Sequence, residues 1–246
     1  MRYKITIEYD GTHLLGWQRQ LDGPSAQDFL EKAIHAFSGQ TTVVSGAGRT
    51  DTGVHALAQV AHFDIETKLD PFRIREAVNA HLRRMDAPVA VLEAEEADAN
   101  FHARFSATGR SYIYRILNRR APTILDKDRV WWIPVPLDIK KMQKATKHLL
   151  GKHNFTSFRA AACQAQSPVK TLDKLEITQT GEEIIFKVEA RSFLHRQVRN
   201  IVGTLKMVGD QSIEPDMVKE ILKAQDRTKA GATAPASGLY LSQIKY

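Results

Sequence analysis

Arg2-Tyr3-Lys4-Ile5-Thr6-Ile7-Glu8-Tyr9 alternates residue by residue. Tyr3, Ile5, Ile7 and Tyr9 point one way, and Arg2, Lys4, Thr6 and Glu8 the other. A side-chain period of two with one apolar set is that of a strand buried on one face. Asp10-Gly11 ends the strand. Ser25, with Asp28 three residues on, reads as a helix N-cap. Leu30, Ala33, Ile34 and Phe37 form one helical face, and Gly39 stops it. A short strand is expected at 42–45, then a Gly-rich loop and a strand near 58–65. Asp70-Pro71 opens a second helix, with Pro at its first position and Ile74, Ala77, Val78 and Leu82 on its apolar face. A strand at 88–94 closes the first set of elements.

The second half repeats the style. A long strand over 108–117 carries Tyr112, Tyr114 and Ile116 on one side, and Asp138 caps a helix expected to reach Leu150. Strands at about 171–178 and 183–191 flank a Thr180-Gly181 turn, and an apolar helix ends at Gly209. A short helix from Pro215, a small-residue loop from Ala230 to Gly238 and a final strand, Leu239–Lys245, complete the chain. The fold class is therefore α+β: two similar subdomains, each with helices on one face of a largely antiparallel sheet. The boundary is placed near Phe105–Thr108. Residues 1–106 form an N-terminal subdomain with the Gly-rich loop, and 107–246 a C-terminal one.

Composition narrows the classes. The formal net charge is +7, and cations come in pairs such as Arg83-Arg84 and Arg119-Arg120. Such a surplus favours a polyanionic partner, nucleic acid before anionic membrane, although a charge run is more often a solvated face. Cys163 is the one cysteine, which excludes an intrachain disulfide and a thiolate zinc site within one chain. The charged, alternating start lacks the apolar stretch of a signal peptide, and no segment approaches the ~18 apolar residues of a membrane span. The expected location is the cytoplasm, with no membrane partner.

Gly46-Ala47-Gly48-Arg49-Thr50-Asp51-Thr52-Gly53-Val54-His55-Ala56 is the stretch that holds chemistry. Its glycines permit unusual backbone angles and close approach of another molecule. Arg49, two residues from Asp51, is placed to project to the same side and favour the carboxylate. An ionised Asp in a cleft serves as nucleophile, general base or metal ligand. The plainer reading is a turn residue bonded to its own backbone. No Gly-Lys-Ser/Thr follows, so this is not a nucleoside-triphosphate loop, and the spacing does not match a dinucleotide fingerprint. Asp51 with His55 is a poor metal signal, and no metal site is expected.

GAGRTDTGVHA resembles the AGRTDAGVHA motif of the TruA family of tRNA pseudouridine synthases. IEYDGTHLLGWQRQ, NFHARFSATGRSYIYRI, HNFTSFRA, FLHRQVRNIVGTLKMVG and SGLYL resemble that family's other motifs, in its order and over nearly the whole chain. The resemblance implies an isomerase that converts uridine to pseudouridine at positions 38, 39 and 40 of the tRNA anticodon stem-loop. It implies no cofactor, a homodimer, and an RNA-binding cleft between the subdomains. By motif, Asp51 matches the family's essential aspartate, the nucleophile, and Arg49 the arginine of the same motif. Tyr112 matches the tyrosine stacked on the target base, Arg199 an arginine paired with the aspartate, and Leu239 an apolar residue lining the pocket. Two departures stand out: Leu82-Arg83-Arg84-Met85 where the family often has Leu-Pro, and Thr52 where alanine is common. Attack of Asp51 on C6 and a route through a glycal both fit the sequence. A non-catalytic RNA-binding module would explain charge and fold but not Arg49-Thr50-Asp51, and a nucleoside hydrolase would need a second positioned acid.

Overall fold

The computed structural model describes all residues, 1–246, as two compact units: Met1–Thr108 together with Tyr240–Tyr246, and Gly109–Leu239.

In the first unit, β1 (Arg2–Tyr9) lies between β4 (Val89–Ala97) and β3 (His55–Asp64), antiparallel to both. The two-residue β2 (Ser45–Gly46) pairs antiparallel with β3, Ser45 opposite His62. The strand expected at 42–45 forms only at its end, because the Val44 N–H is taken by the Glu31 carboxylate at 3.1 Å. The last strand, β10 (Leu239–Lys245), returns to this unit and runs parallel to β3 through Tyr240 opposite His55 and Leu241 opposite Ala56. The second subdomain expected over 107–246 therefore differs from the second unit at its end. Tyr240–Tyr246 clusters with the first unit because its backbone partners are there.

Helix α1 (Ala26–Ser38) begins where the Ser25 hydroxyl accepts the Asp28 N–H at 3.2 Å. It ends at Gly39, whose φ of 69° lets its N–H return to the His35 carbonyl at 2.8 Å. Helix α2 (Pro71–Arg84) starts at Asp70, which accepts the Arg73 N–H at 2.9 Å. The core of the unit joins Tyr3, Ile5 and Ile7 to Leu30, Ala33 and Ile34 of α1 and to Ile74, Val78 and Leu82 of α2. Each large apolar side chain so buried contributes about 1.5–3 kcal/mol.

In the second unit, β5 (Gly109–Asn118), β9 (Glu183–Ala190), β8 (Val169–Thr180) and β7 (Gly151–Asn154) lie side by side in that order, all antiparallel neighbours. The β8–β9 hairpin turns at Gly181, φ 58°. The short β6 (Trp131–Ile133) runs parallel to β5. Helix α3 (Ile139–Thr146) packs on α4 (Gln197–Gly209) and on β8, and α5 (Met217–Ala224) follows. The α3 helix expected to reach Leu150 stops at Thr146. From there the bonds shorten to i→i+3, Leu149 N–H to the Thr146 carbonyl at 3.0 Å, and Leu149 stays buried. Tyr114, Ile116, Ile184, Phe186 and Val188 form the apolar face of the sheet. Ile201, Val202, Leu205 and Val208 of α4 complete the core. Both units are mixed α+β with mostly antiparallel pairing. No helix is long and apolar enough to cross a membrane.

Candidate active site

The loop from β2 to β3 sets Asp51. Ala47 N–H bonds the Val60 carbonyl at 2.7 Å, and the fully buried Gln59 donates from Nε2 to the Gly48 carbonyl at 2.8 Å. Thr50 turns inward, its hydroxyl 2.8 Å from that of Tyr9, and its carbonyl accepts the Trp17 N–H at 3.2 Å. Arg49 and Asp51, on either side of this buried anchor, turn outward, Arg49 exposed and Asp51 half-buried. The Asp51 carbonyl then accepts the Val54 N–H at 3.1 Å, closing a turn with Gly53 at φ 78°. Gly53 N–H reaches the Leu14 carbonyl at 3.3 Å.

Two glycines of the N-terminal motif explain why this loop can lie so close. Gly16 has φ 98°, and a Cβ there would stand 2.4 Å from the Thr50 carbonyl oxygen. A Cβ on Gly11 would stand 2.1 Å from the Val54 carbonyl oxygen. Gly11 N–H also donates to Nδ1 of the buried His55 at 3.0 Å, so that nitrogen is an acceptor. The His55 ring is stacked on Tyr240 with centroids 4.7 Å apart. The spacing of Arg49 and Asp51 puts both on the outer side of the loop.

The second unit holds the other three expected residues. Tyr112 on β5 is half-buried, its ring edge-on to Phe193 at 5.2 Å. Tyr114, two residues on and facing the same way, is fully buried; its hydroxyl donates to the Pro235 carbonyl at 2.8 Å, and burial pushes the phenol far above its ordinary pKa. Arg199, near the start of α4, donates from Nε to the Ala234 carbonyl at 2.7 Å, and Ala234 N–H returns to the Arg199 carbonyl at 3.2 Å. Leu239 is buried at the start of β10, directly after the 3-10 turn Ala236–Gly238. Arg49 and Asp51 thus stand on one loop of the first unit, and Tyr112, Arg199 and Leu239 in the second.

Sequence reading missed the supports: Tyr9, Gly11, Gly16 and Gln59 around Asp51, and Asn200, Thr204, Arg227 and Thr233 around Arg199. Gly11 and Gly16 lay within a motif already singled out, where a glycine between large residues is a sign of close packing. The others carry no local signal. No three His, Cys, Asp or Glu side chains are grouped so as to hold a metal ion.

The family described as tRNA pseudouridine synthase matches residues 5–106 and 145–246. The chain is 54% identical over 245 residues to the tRNA pseudouridine synthase A of Paramagnetospirillum magneticum, covering 100% of this chain and 95% of that protein. It is 49% identical over 245 residues to the tRNA pseudouridine synthase A of Sinorhizobium medicae, covering 100% of this chain and 99% of that one. Among solved structures, a crystal structure of a Cbf5-Nop10-Gar1 complex aligns with a TM-score of 0.39 at 11% identity, over 98% of this chain and 49% of that one, too weak a likeness to bear on the argument.

Proposed function

This chain belongs to the tRNA pseudouridine synthases and is an isomerase acting on uridine in tRNA; on that premise we propose that it modifies positions 38, 39 and 40 of the anticodon stem-loop with Asp51 as nucleophile. The observation that carries the assignment to Asp51 is the contrast with its neighbour. Thr50 is anchored through both hydroxyl and carbonyl, while the Asp51 carboxylate is carried outward on a backbone pinned on both sides. A backbone pinned beneath the side chain is what an attacking group needs, because its geometry is set before substrate arrives.

The reaction breaks the bond from ribose C1′ to uracil N1, rotates the base and joins C1′ to C5, after which C5 loses its proton while the freed N1 gains one. Atoms and oxidation state balance without a co-reactant. Asp51 supplies the carboxylate. Arg199 and Arg49 supply positive charge to pair with it. Tyr112 offers a half-exposed aromatic face of the kind on which an extruded base stacks. Leu239 contributes apolar lining that retains the detached uracil. The enzyme works in the cytoplasm as a homodimer, both subunits contacting one tRNA. Light scattering is expected to give twice the chain mass of 27.7 kDa, and a monomer at working concentration ends that part of the proposal.

Asp51→Asn tests the nucleophile. A turn residue would tolerate the change, since Asn and Asp both favour turns. A nucleophile would not, because the amide lacks the charge and the lone-pair reactivity. Tritium release from C5-labelled uridine in tRNA is expected to vanish, while filter binding of the same tRNA stays near wild type because it rests on many phosphate contacts. Near-normal release by the mutant would return Asp51 to a structural role. Mass mapping of the modified tRNA locates the positions.

A further inference from the structure

The segment Ala230-Gly231-Ala232-Thr233-Ala234-Pro235-Ala236-Ser237-Gly238 contains no large side chain. It cannot be fixed by burying apolar bulk, yet its Ala234 carbonyl holds Arg199 Nε and its end delivers Leu239. Ordering each of its residues costs about 1–2 kcal/mol of backbone entropy. Something specific must therefore hold it.

Two devices do. The first is close packing on α4: a Cβ on Gly203 would stand 1.8 Å from the Ala232 carbonyl oxygen, and one on Gly231 2.7 Å from the Gly203 carbonyl oxygen. The second is a polar network centred on Arg227 and Asn200. Arg227 donates from Nη1 to the carbonyls of Ala230 at 3.2 Å and Gly231 at 2.9 Å. From Nη2 it donates to Asn200 Oδ1 and to the Thr233 hydroxyl, each at 3.1 Å. Asn200 is fully buried; its Oδ1 also accepts from the Thr233 hydroxyl at 2.7 Å, and its Nδ2 donates to the Phe158 carbonyl at 2.8 Å. Thr204 closes the set, accepting the Gly231 N–H at 2.9 Å and donating to the Asn200 carbonyl at 2.8 Å.

Every oxygen around the Arg227 guanidinium is neutral, and no carboxylate offsets its partial burial. Were the segment only to be held, apolar packing would avoid that desolvation cost. What a planar fork of donors provides instead is direction: it fixes carbonyls and a hydroxyl at set angles. Asn200 adjoins Arg199 in α4, and Thr233 adjoins Ala234 in the segment. The network thus adjoins the Arg199–Ala234 bond pair in both the helix and the segment. It also gives a role to HNFTSFRA: Phe158 receives Asn200, and the Ser157 hydroxyl accepts the Asp226 N–H at 2.9 Å, next to Arg227.

We propose that Asn200 and Arg227 are positioning residues for the isomerisation, fixing the 230–238 segment on α4 and thereby the direction of the Arg199 guanidinium. This rests on the part assigned above to Arg199.

The test is a mutant cycle in the full-length enzyme with tRNA transcript. Asn200→Ala and Arg227→Lys are expected to lower kcat about tenfold with KM changed less than about twofold, since misplacement of a reacting group is read in the chemical step. Lysine keeps the charge but not the fork, so it should not rescue. Thr233→Val, which deletes one hydroxyl, should lower kcat about threefold and covers the case in which the larger changes impair folding. The decisive readout is the Arg199→Ala background. If these residues act through Arg199, adding Asn200→Ala or Thr233→Val there costs less than about twofold. A full multiplicative loss in that background, or unchanged kcat in the single variants, overturns the proposal while leaving the role of Arg199 intact. Wild-type kcat in Arg199→Ala alone would instead overturn the role of Arg199, and the inference with it.

Discussion

Around Asp51 the contacts are chiefly main chain on main chain. Gly11 and Gly16 let two stretches of backbone touch, Gly53 makes the turn, and the amides of Trp17, Gly53 and Val54 complete it. Around Arg199 the contacts are made by side chains, to main chain and to one another, through Arg227, Asn200, Thr233 and Thr204. The difference follows from what each segment can bury. The Asp51 loop joins two strands and passes beside Trp17 and Tyr9, so absent side chains allow approach and large neighbours seal it. The 230–238 segment has little bulk of its own, so it borrows donors from a neighbouring turn and helix. A main-chain clamp fails through steric change; a side-chain network fails through loss of a donor or acceptor.

The comparison can be broken hardest at Gly16. Alanine there must adopt φ near 98° and meets the Thr50 carbonyl oxygen at 2.4 Å. Backbone strain and overpacking together should cost about 3 kcal/mol, seen as a lower urea midpoint, and catalysis should fall with it. An unchanged midpoint would mean that the loop is not clamped by main chain. Gly203→Ala is the corresponding test in the second unit and should have a smaller effect. In an open helix this change stabilises by about 1 kcal/mol. Here the 1.8 Å approach to Ala232 reverses the sign, with a net loss of about 2 kcal/mol by the same measurement. A gain in stability would show that the 230–238 segment does not rest on α4.

The smallest effect concerns pH. His62, buried on β3, accepts the Ala103 N–H at Nδ1, 3.2 Å away. Burial holds its pKa below the ordinary value, helped by nearby His102 and Arg2. A depressed folded-state pKa means that the unfolded chain takes the proton first. Stability from His62 is therefore present above about pH 6.5 and is lost as pH falls through the lower folded value. His62→Gln should flatten this dependence of the thermal midpoint; an identical slope in the variant would clear His62 of the effect.

Local chemistry made much of the fold legible. The alternation at 2–9, the caps Ser25, Asp70 and Asp138, the Gly39 stop and the final strand at Leu239 are each written within a few residues. The motifs put Asp51 and Arg199 forward for the same reason: their spacing within a loop and a helix is local. Two short strands, β6 and β7, escaped because three or four residues hold too little periodicity to stand out.

By itself the sequence determined where the long strands and most helices form, which faces they bury, and which family the chain resembles. Only the tertiary structure decided that β10 joins β3 in parallel, that Gly11 and Gly16 face residues 50–54, and that Arg227 meets Asn200 and Thr233. The physical reason is one of range. Periodicity and capping depend on torsions and neighbours within about a turn of chain. A strand edge, a missing Cβ or a guanidinium fork states what kind of partner it needs, and the folded chain alone supplies which one.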